Sequence, residues 1–142
     1  MPSFAPLARK LRRGTAAVEF AVIAPVFVTL TMGMMEVTRA IQVKSYLTDA
    51  ARSSCRLATQ PGSSNSTVTA NINTILTSNG LNPSDATITI QVNGNTADVN
   101  TAQKYQPVSV KIAIPISKVS WVPLSIFSSS SLTSETLVMM HN

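Results

Sequence analysis

The chain has 142 residues with one cysteine and one histidine, which excludes an intramolecular disulfide framework and any multi-cysteine metal site. Its formal charge of +5 reflects position: of 11 Lys and Arg, four precede Gly14, and the seven that follow are nearly matched by 6 Asp and Glu. Composition therefore points away from a nucleic-acid interface, and the length suits one modest domain plus an anchor.

Arg9, Lys10, Arg12 and Arg13 make residues 1–14 a basic leader that stops at Gly14. Residues 15–35 then read TAAVEFAVIAPVFVTLTMGMM. At about 1.5 Å per residue this tract matches a hydrocarbon core of about 30 Å, so it predicts one transmembrane helix. A removable secretory signal would have a shorter apolar region, about 7 to 15 residues, ending in a small-residue cleavage site. Four Lys and Arg before the span, against Arg39, Lys44 and Arg52 beyond it, set the leader in the cytoplasm and residues 36–142 outside. Glu19 interrupts the apolar tract. An acid costs roughly 2.5 to 3.5 kcal/mol at the centre of a membrane helix, so Glu19 either serves a function or snorkels into headgroups at the membrane edge. Pro25 cannot donate to the carbonyl of Ala21 and predicts a kink. Pro25 and Gly33 fit ordinary transmembrane usage as well as a role in assembly.

Residues 36–59 contain no Pro or Gly, and Val37, Ala40, Ile41, Leu47, Ala50, Ala51, Ser54, Cys55 and Ala58 recur at helical spacing. Arg39, Gln42, Asp49, Arg52 and Arg56 fall mainly on the other side. One helix over residues 15–59 follows, about 65 to 70 Å long. Gln60-Pro61-Gly62 ends it. A shorter helix, capped by Asn65 or Ser66, carries Val68, Ile72, Ile75 and Leu76 on one face and stops at Asn79-Gly80. After Pro83 the period changes to two. Ile88, Ile90 and Val92 mark one strand, and Val108, Val110, Ile112, Ile114 and Ile116 another. Asn93-Gly94-Asn95 turns the chain out of the first, with too long an interval to Gln106 for a tight hairpin. A last strand is expected over residues 132–140. The fold class is α+β: a long N-terminal transmembrane and amphipathic helix packed on a short second helix and a small antiparallel sheet of three to four strands.

Few side chains invite chemistry. Cys55 suits a small residue packed on a helix or, less simply, a redox-sensitive thiol. His141 reads as a solvated end, and Asp85 and Asp98 as solvated loop acids. Trp121 fits packing under a loop or a contact with a partner or membrane surface. No phosphate loop, paired carboxylates or nucleophile with an orienting base is present, so no catalytic, cofactor-binding or metal residue is assigned and the chain is not expected to be an enzyme.

The basic leader, Gly14, Thr15-Ala16-Ala17-Val18, Glu19-Phe20 and the apolar helix resemble the processing site of type IV pilin-like proteins. With Ile23-Ala24-Pro25, Ala50-Ala51-Arg52, Arg56 and Val119-Ser120-Trp121, most of the chain resembles the TadE-like minor pilins, or pseudopilins, of the tight-adherence (Tad) pilus system. Ser54 and Cys55 depart from the Gly and Ala usual there, and Phe20 replaces the Tyr common in the system's major pilins. The resemblance implies a pilin-like spine and cleavage between Gly14 and Thr15 by a prepilin peptidase at the cytoplasmic face. It further implies subunit registry through the new Thr15 amine, Glu19 and Phe20. Implied partners are membrane lipid, other pilin and pseudopilin subunits, the peptidase and the Tad inner-membrane platform, with no nucleic acid; the implied location is the inner membrane or the pilus. The alternative is an uncleaved single-pass envelope protein whose outer domain binds a partner.

Overall fold

The computed structural model describes residues 7–120 and 130–141, with side chains from residue 14 onward. It divides into two units, Met1–Val37 and Thr38–Asn142. The first helix, α1, runs Leu7–Ala58 and is continuous through Pro25. It begins upstream of the expected residue 15 because leader residues such as Leu, Arg and Lys are good helix formers and nothing breaks the run before Gly14. It ends one residue short of the expected 59.

In the second unit, Val43, Leu47, Ala50, Ala51, Ser54, Cys55 and Ala58 are buried, a stripe at three-and-four spacing. Val37 and Ile41, expected on that stripe, are 61% and 62% exposed. Ile41 lies about 120° around the helix from Leu47, and Val37 falls in the amino-terminal unit. Gln42, Asp49, Arg52 and Arg56 are exposed as expected.

Helix α2 spans Asn65–Ser78, and Val68, Ile72 and Leu76 are its buried positions. Its cap is Ser64, one residue before the expected pair: the Ser64 hydroxyl accepts from the Thr67 N–H. At the other end Gly80 adopts φ +72°. Gly80 N–H then donates to Thr77 O at 3.0 Å and Leu81 N–H to Leu76 O at 2.9 Å. This double closure needs a left-handed residue, which is why glycine stands there. Across the helix pair, Asn71 Nδ2 donates to the buried Ser54 hydroxyl at 3.0 Å, so the one polar side chain in the α1 stripe is satisfied.

Strands β1 (Thr87–Val92), β2 (Pro107–Pro115), β3 (Ser131–Thr133) and β4 (Leu137–Met140) form one antiparallel sheet. β2 is central, with β1 on one side and β3 and β4 in succession on the other. Asn93 and Gly94, both at positive φ, make a two-residue turn that bridges Val92 to Asn95 before the chain departs on its long route to β2. β2 stops at Pro115, so Ile116 belongs to a 3-10 turn, Ile116–Lys118, rather than to the strand.

The expected last strand is two short ones because an extra residue intervenes. Ala113 pairs with Thr133 but Val110 with Leu137, three steps on β2 against four on its neighbour, which is a β-bulge. Ser134 fills the break: its N–H donates to Ile112 O at 2.8 Å and its hydroxyl accepts from Ile112 N–H at 3.0 Å. The bulge shifts the core-facing row from Leu132 to Leu137 and Met139. On the same face Ile90, Val92, Val108, Val110, Ile112 and Ile114 are buried. They share one core with the stripes of α1 and α2, and each large side chain there contributes about 1.5 to 3 kcal/mol of burial.

Candidate processing and assembly segment

Gly14, Thr15, Glu19, Phe20 and Pro25 all lie in the amino-terminal part of α1, so the backbone sets their arrangement. Thr15 and Glu19 are four residues apart and share a face. Both are exposed, as are Gly14 and Phe20. Gly14 takes no positive φ, and a Cβ there would meet nothing within 4 Å. Among the described residues, then, neither packing nor backbone geometry asks for glycine at this position. It nevertheless costs about 1 kcal/mol of helix stability relative to Ala.

Arg9 and Lys10 occupy the first turn of α1, where no acid is present. Downstream, the large apolar side chains from Val18 to Met35 are 50% to 72% exposed. α1 thus carries a segment long and apolar enough to cross a membrane. At Pro25, whose carbonyl accepts from Thr29 Oγ1 at 2.8 Å, the polar hydroxyl is satisfied within the helix. Thr31 Oγ1 bonds back similarly to Phe27 O and Val28 O.

The model of the TadE-like protein family matches residues 14–56. This segment is TadE-like. The match begins at Gly14 and ends at Arg56, so the TadE-like segment takes in Thr15, Glu19, Phe20 and Pro25 and most of the buried stripe of α1. The match is confined to these residues, less than half of the chain. The chain matches no curated protein and no solved structure.

The remaining candidates, Cys55 excepted, lie beyond the TadE-like segment. Cys55, within it, is the packed small residue: its thiol faces Val108 O at 3.5 Å and Leu137 O at 3.6 Å. Burial pushes its pKa up, partly offset by a backbone hydrogen bond from Met139, so the thiol stays protonated at neutral pH and is poorly suited to redox chemistry. Asp85 pairs with Lys118 at 3.4 Å, and Asp98 accepts from the N–H groups of Asn65 and Asn100. Asp98 is exposed, as expected of a solvated loop acid, and Asp85 is half-buried; both also organise loops. Asn65 adds bonds to Ala97 O and Val99 N–H, fastening that loop to the start of α2. His141 is half-buried and not a free end, since its N–H donates to Gln106 O and its carbonyl accepts from Tyr105 N–H. Trp121 lies outside the described residues. Among the described residues no group of His, Cys, Asp and Glu could hold a metal ion.

What sequence reasoning missed is the bulge at Ser134 and the exposure of Val138 and Met140 that follows from it. The available signal was the change in spacing between Leu132 and the pair Leu137 and Met139.

Proposed function

We propose that the chain is a minor pilin or pseudopilin that takes part in assembly of a Tad-type surface pilus, trimmed by a prepilin peptidase between Gly14 and Thr15. The observation that carries this reading is Gly14 itself. It is exposed, helical and free of close neighbours, and the TadE-like match starts there. A glycine with no intramolecular purpose fits an external enzyme that must open the helix locally and admit a backbone without a side chain. The basic leader would hold that site against the anionic cytoplasmic surface, leaving Thr38–Asn142 outside the inner membrane. Amino-terminal mass analysis of the native protein tests the reading: the mature chain begins at Thr15. A native chain still carrying Met1 or Pro2 would favour the uncleaved envelope anchor.

Trimming would create an amine on Thr15 with a reference pKa of about 8, one helical turn from Glu19. In lipid each charge is costly alone, so the pair, within one chain or between neighbours, would set the register of packed helices, with Phe20 beside it. Removing one member of such a pair costs about 3 to 5 kcal/mol by leaving the other unpaired. Glu19→Ala is therefore expected to be trimmed normally but incorporated about tenfold less or worse, read by immunoblot of sheared filaments against membranes. Wild-type incorporation would remove the registry role.

A further inference from the structure

The chain contains two Asn-Gly steps, Asn79-Gly80 and Asn93-Gly94. Asparagine is a labile residue, and glycine after it is the most permissive neighbour. The glycine N–H, uncrowded by a side chain, can attack the Asn amide carbon and close a five-membered ring. The fold decides whether that attack is open, and the two steps sit in opposite surroundings.

At Asn79 both reacting groups are held. Asn79 Nδ2 donates to Ile75 O at 2.8 Å, and Gly80 N–H donates to Thr77 O at 3.0 Å. The next residue, Leu81, is buried in the core, and its N–H donates to Leu76 O at 2.9 Å. Swinging Gly80 toward the Asn79 side chain would break the end of α2 and lift Leu81 out of the core.

Asn93-Gly94 is the reverse case. Both residues are exposed, as are Asn95 and Thr96 after them. Among the described residues none bonds the Asn93 amide or the Gly94 N–H. Asn93 holds φ +51°, a left-handed conformation that is costly for a residue with a Cβ, so little favours keeping it there. Rotation about its Cα–C bond brings the Gly94 nitrogen onto Cγ and releases the mutual hydrogen bonds of Val92 and Asn95, at 2.8 and 3.0 Å. The Asn93 N–H, which donates to Pro107 O at 2.8 Å, precedes the rotating bond and keeps its partner.

We propose that Asn93-Gly94 is a site of spontaneous covalent modification, where Asn93 passes through a cyclic imide to isoaspartate and aspartate while Asn79 is spared. A base takes the Gly94 N–H proton, the nitrogen bonds to Asn93 Cγ, and the Cγ–Nδ2 bond breaks as ammonia departs. Water then opens the ring. Addition at the main-chain carbonyl breaks its bond to the Gly94 nitrogen and leaves the chain running through Cγ, which is isoaspartate; addition at Cγ restores the ordinary main chain as aspartate. Overall one water is consumed and one ammonia released, with no change of oxidation state. Either product puts a carboxylate at the turn. Isoaspartate also adds a methylene to the backbone, which spoils a two-residue loop whose left-handed pair matches the strand twist and so uncouples Val92 from Asn95.

The test incubates the membrane-extracted full-length protein in heavy-oxygen water at mildly alkaline pH and follows both steps by peptide mass spectrometry with fragmentation that separates isoaspartate from aspartate. In the folded chain Asn93 is expected to convert about tenfold or more faster than Asn79, because each hydrogen bond guarding Asn79 is worth a severalfold factor. In denaturant the two rates should converge. Every converted chain should carry one heavy oxygen at residue 93, with isoaspartate in excess, and its Val92 N–H should exchange faster. Asn93→Gly supplies a residue at home in the left-handed turn but without an amide, so it should abolish conversion there and leave the thermal transition unchanged. Equal rates at the two steps in the folded chain would overturn the proposal. So would an Asn93 that stays intact while the denatured chain converts, or aspartate formed without isoaspartate, the mark of direct hydrolysis.

Discussion

In cells producing the Gly14→Leu chain, the expected result is that the basic leader stays attached to every molecule and none enters a filament. The prediction is sharp because the substitution should help the helix. Gly14 is exposed in α1 with nothing within 4 Å of its would-be Cβ. Leu in place of Gly raises helix propensity by somewhat under about 1 kcal/mol and creates no clash. Loss of trimming therefore cannot be blamed on a damaged α1; it would locate the defect in recognition by an outside enzyme, whose subsite lacks room for a branched side chain. Intact mass of the membrane-extracted protein reads the result directly. Shortening at the wild-type rate would show that the glycine is not the recognised feature. The variant also separates trimming from folding, because the thermal transition of the domain from Thr38 onward should be unchanged.

Leu47→Ala is expected to have the largest effect on that domain. Leu47 is fully buried in the core shared by α1, α2 and the sheet, the second position of the stripe that begins at Val43. Its neighbours on α1 are mainly small: Ala50, Ala51, Ser54 and Cys55. Removing the leucine side chain opens a cavity that such neighbours have few atoms to fill, so the cost falls within the usual range of about 2 to 5 kcal/mol. For a domain of this size, total stability is about 5 to 15 kcal/mol, and the loss takes a large share of it. Thermal denaturation of the detergent-solubilised chain measures the effect. Thr48→Ala, one position along on the same helix and back-bonded to Lys44 O, should be close to neutral in the same assay. Equal transitions for the two variants would show that the core is not organised around this stripe.

The features legible in the sequence are those with a period. The buried positions from Leu47 to Ala58 repeat at helical spacing, and Ile90, Val92, Val108, Val110, Ile112 and Ile114 alternate as strand residues must. The TadE-like segment was legible for a related reason: the spacing of Gly14, Thr15, Glu19 and Phe20 is local, so it needs no tertiary information. Features that depend on a single polar contact were not legible. Ser64, Asn65 and Ser66 are all good capping residues, and only the folded backbone selects Ser64. Asn65 instead holds the loop at Ala97 and Val99, more than thirty residues away, which no local pattern encodes. Ile41 misled because an apolar residue near the stripe but off its axis looks the same in a linear reading.

The bulge at Ser134 takes up one surplus residue between Thr133, opposite Ala113, and Leu137, opposite Val110. Deleting one residue there would restore uninterrupted pairing with Leu137 still opposite Val110, so Leu137 and Met139 would keep facing the core and only the local irregularity would go. Deleting two would set Leu137 opposite the exposed Lys111 and turn the strand over, sending Val138 and Met140 inward. The bulge is thus slack in the chain, and the final strand can lose that slack without losing its grip on the core.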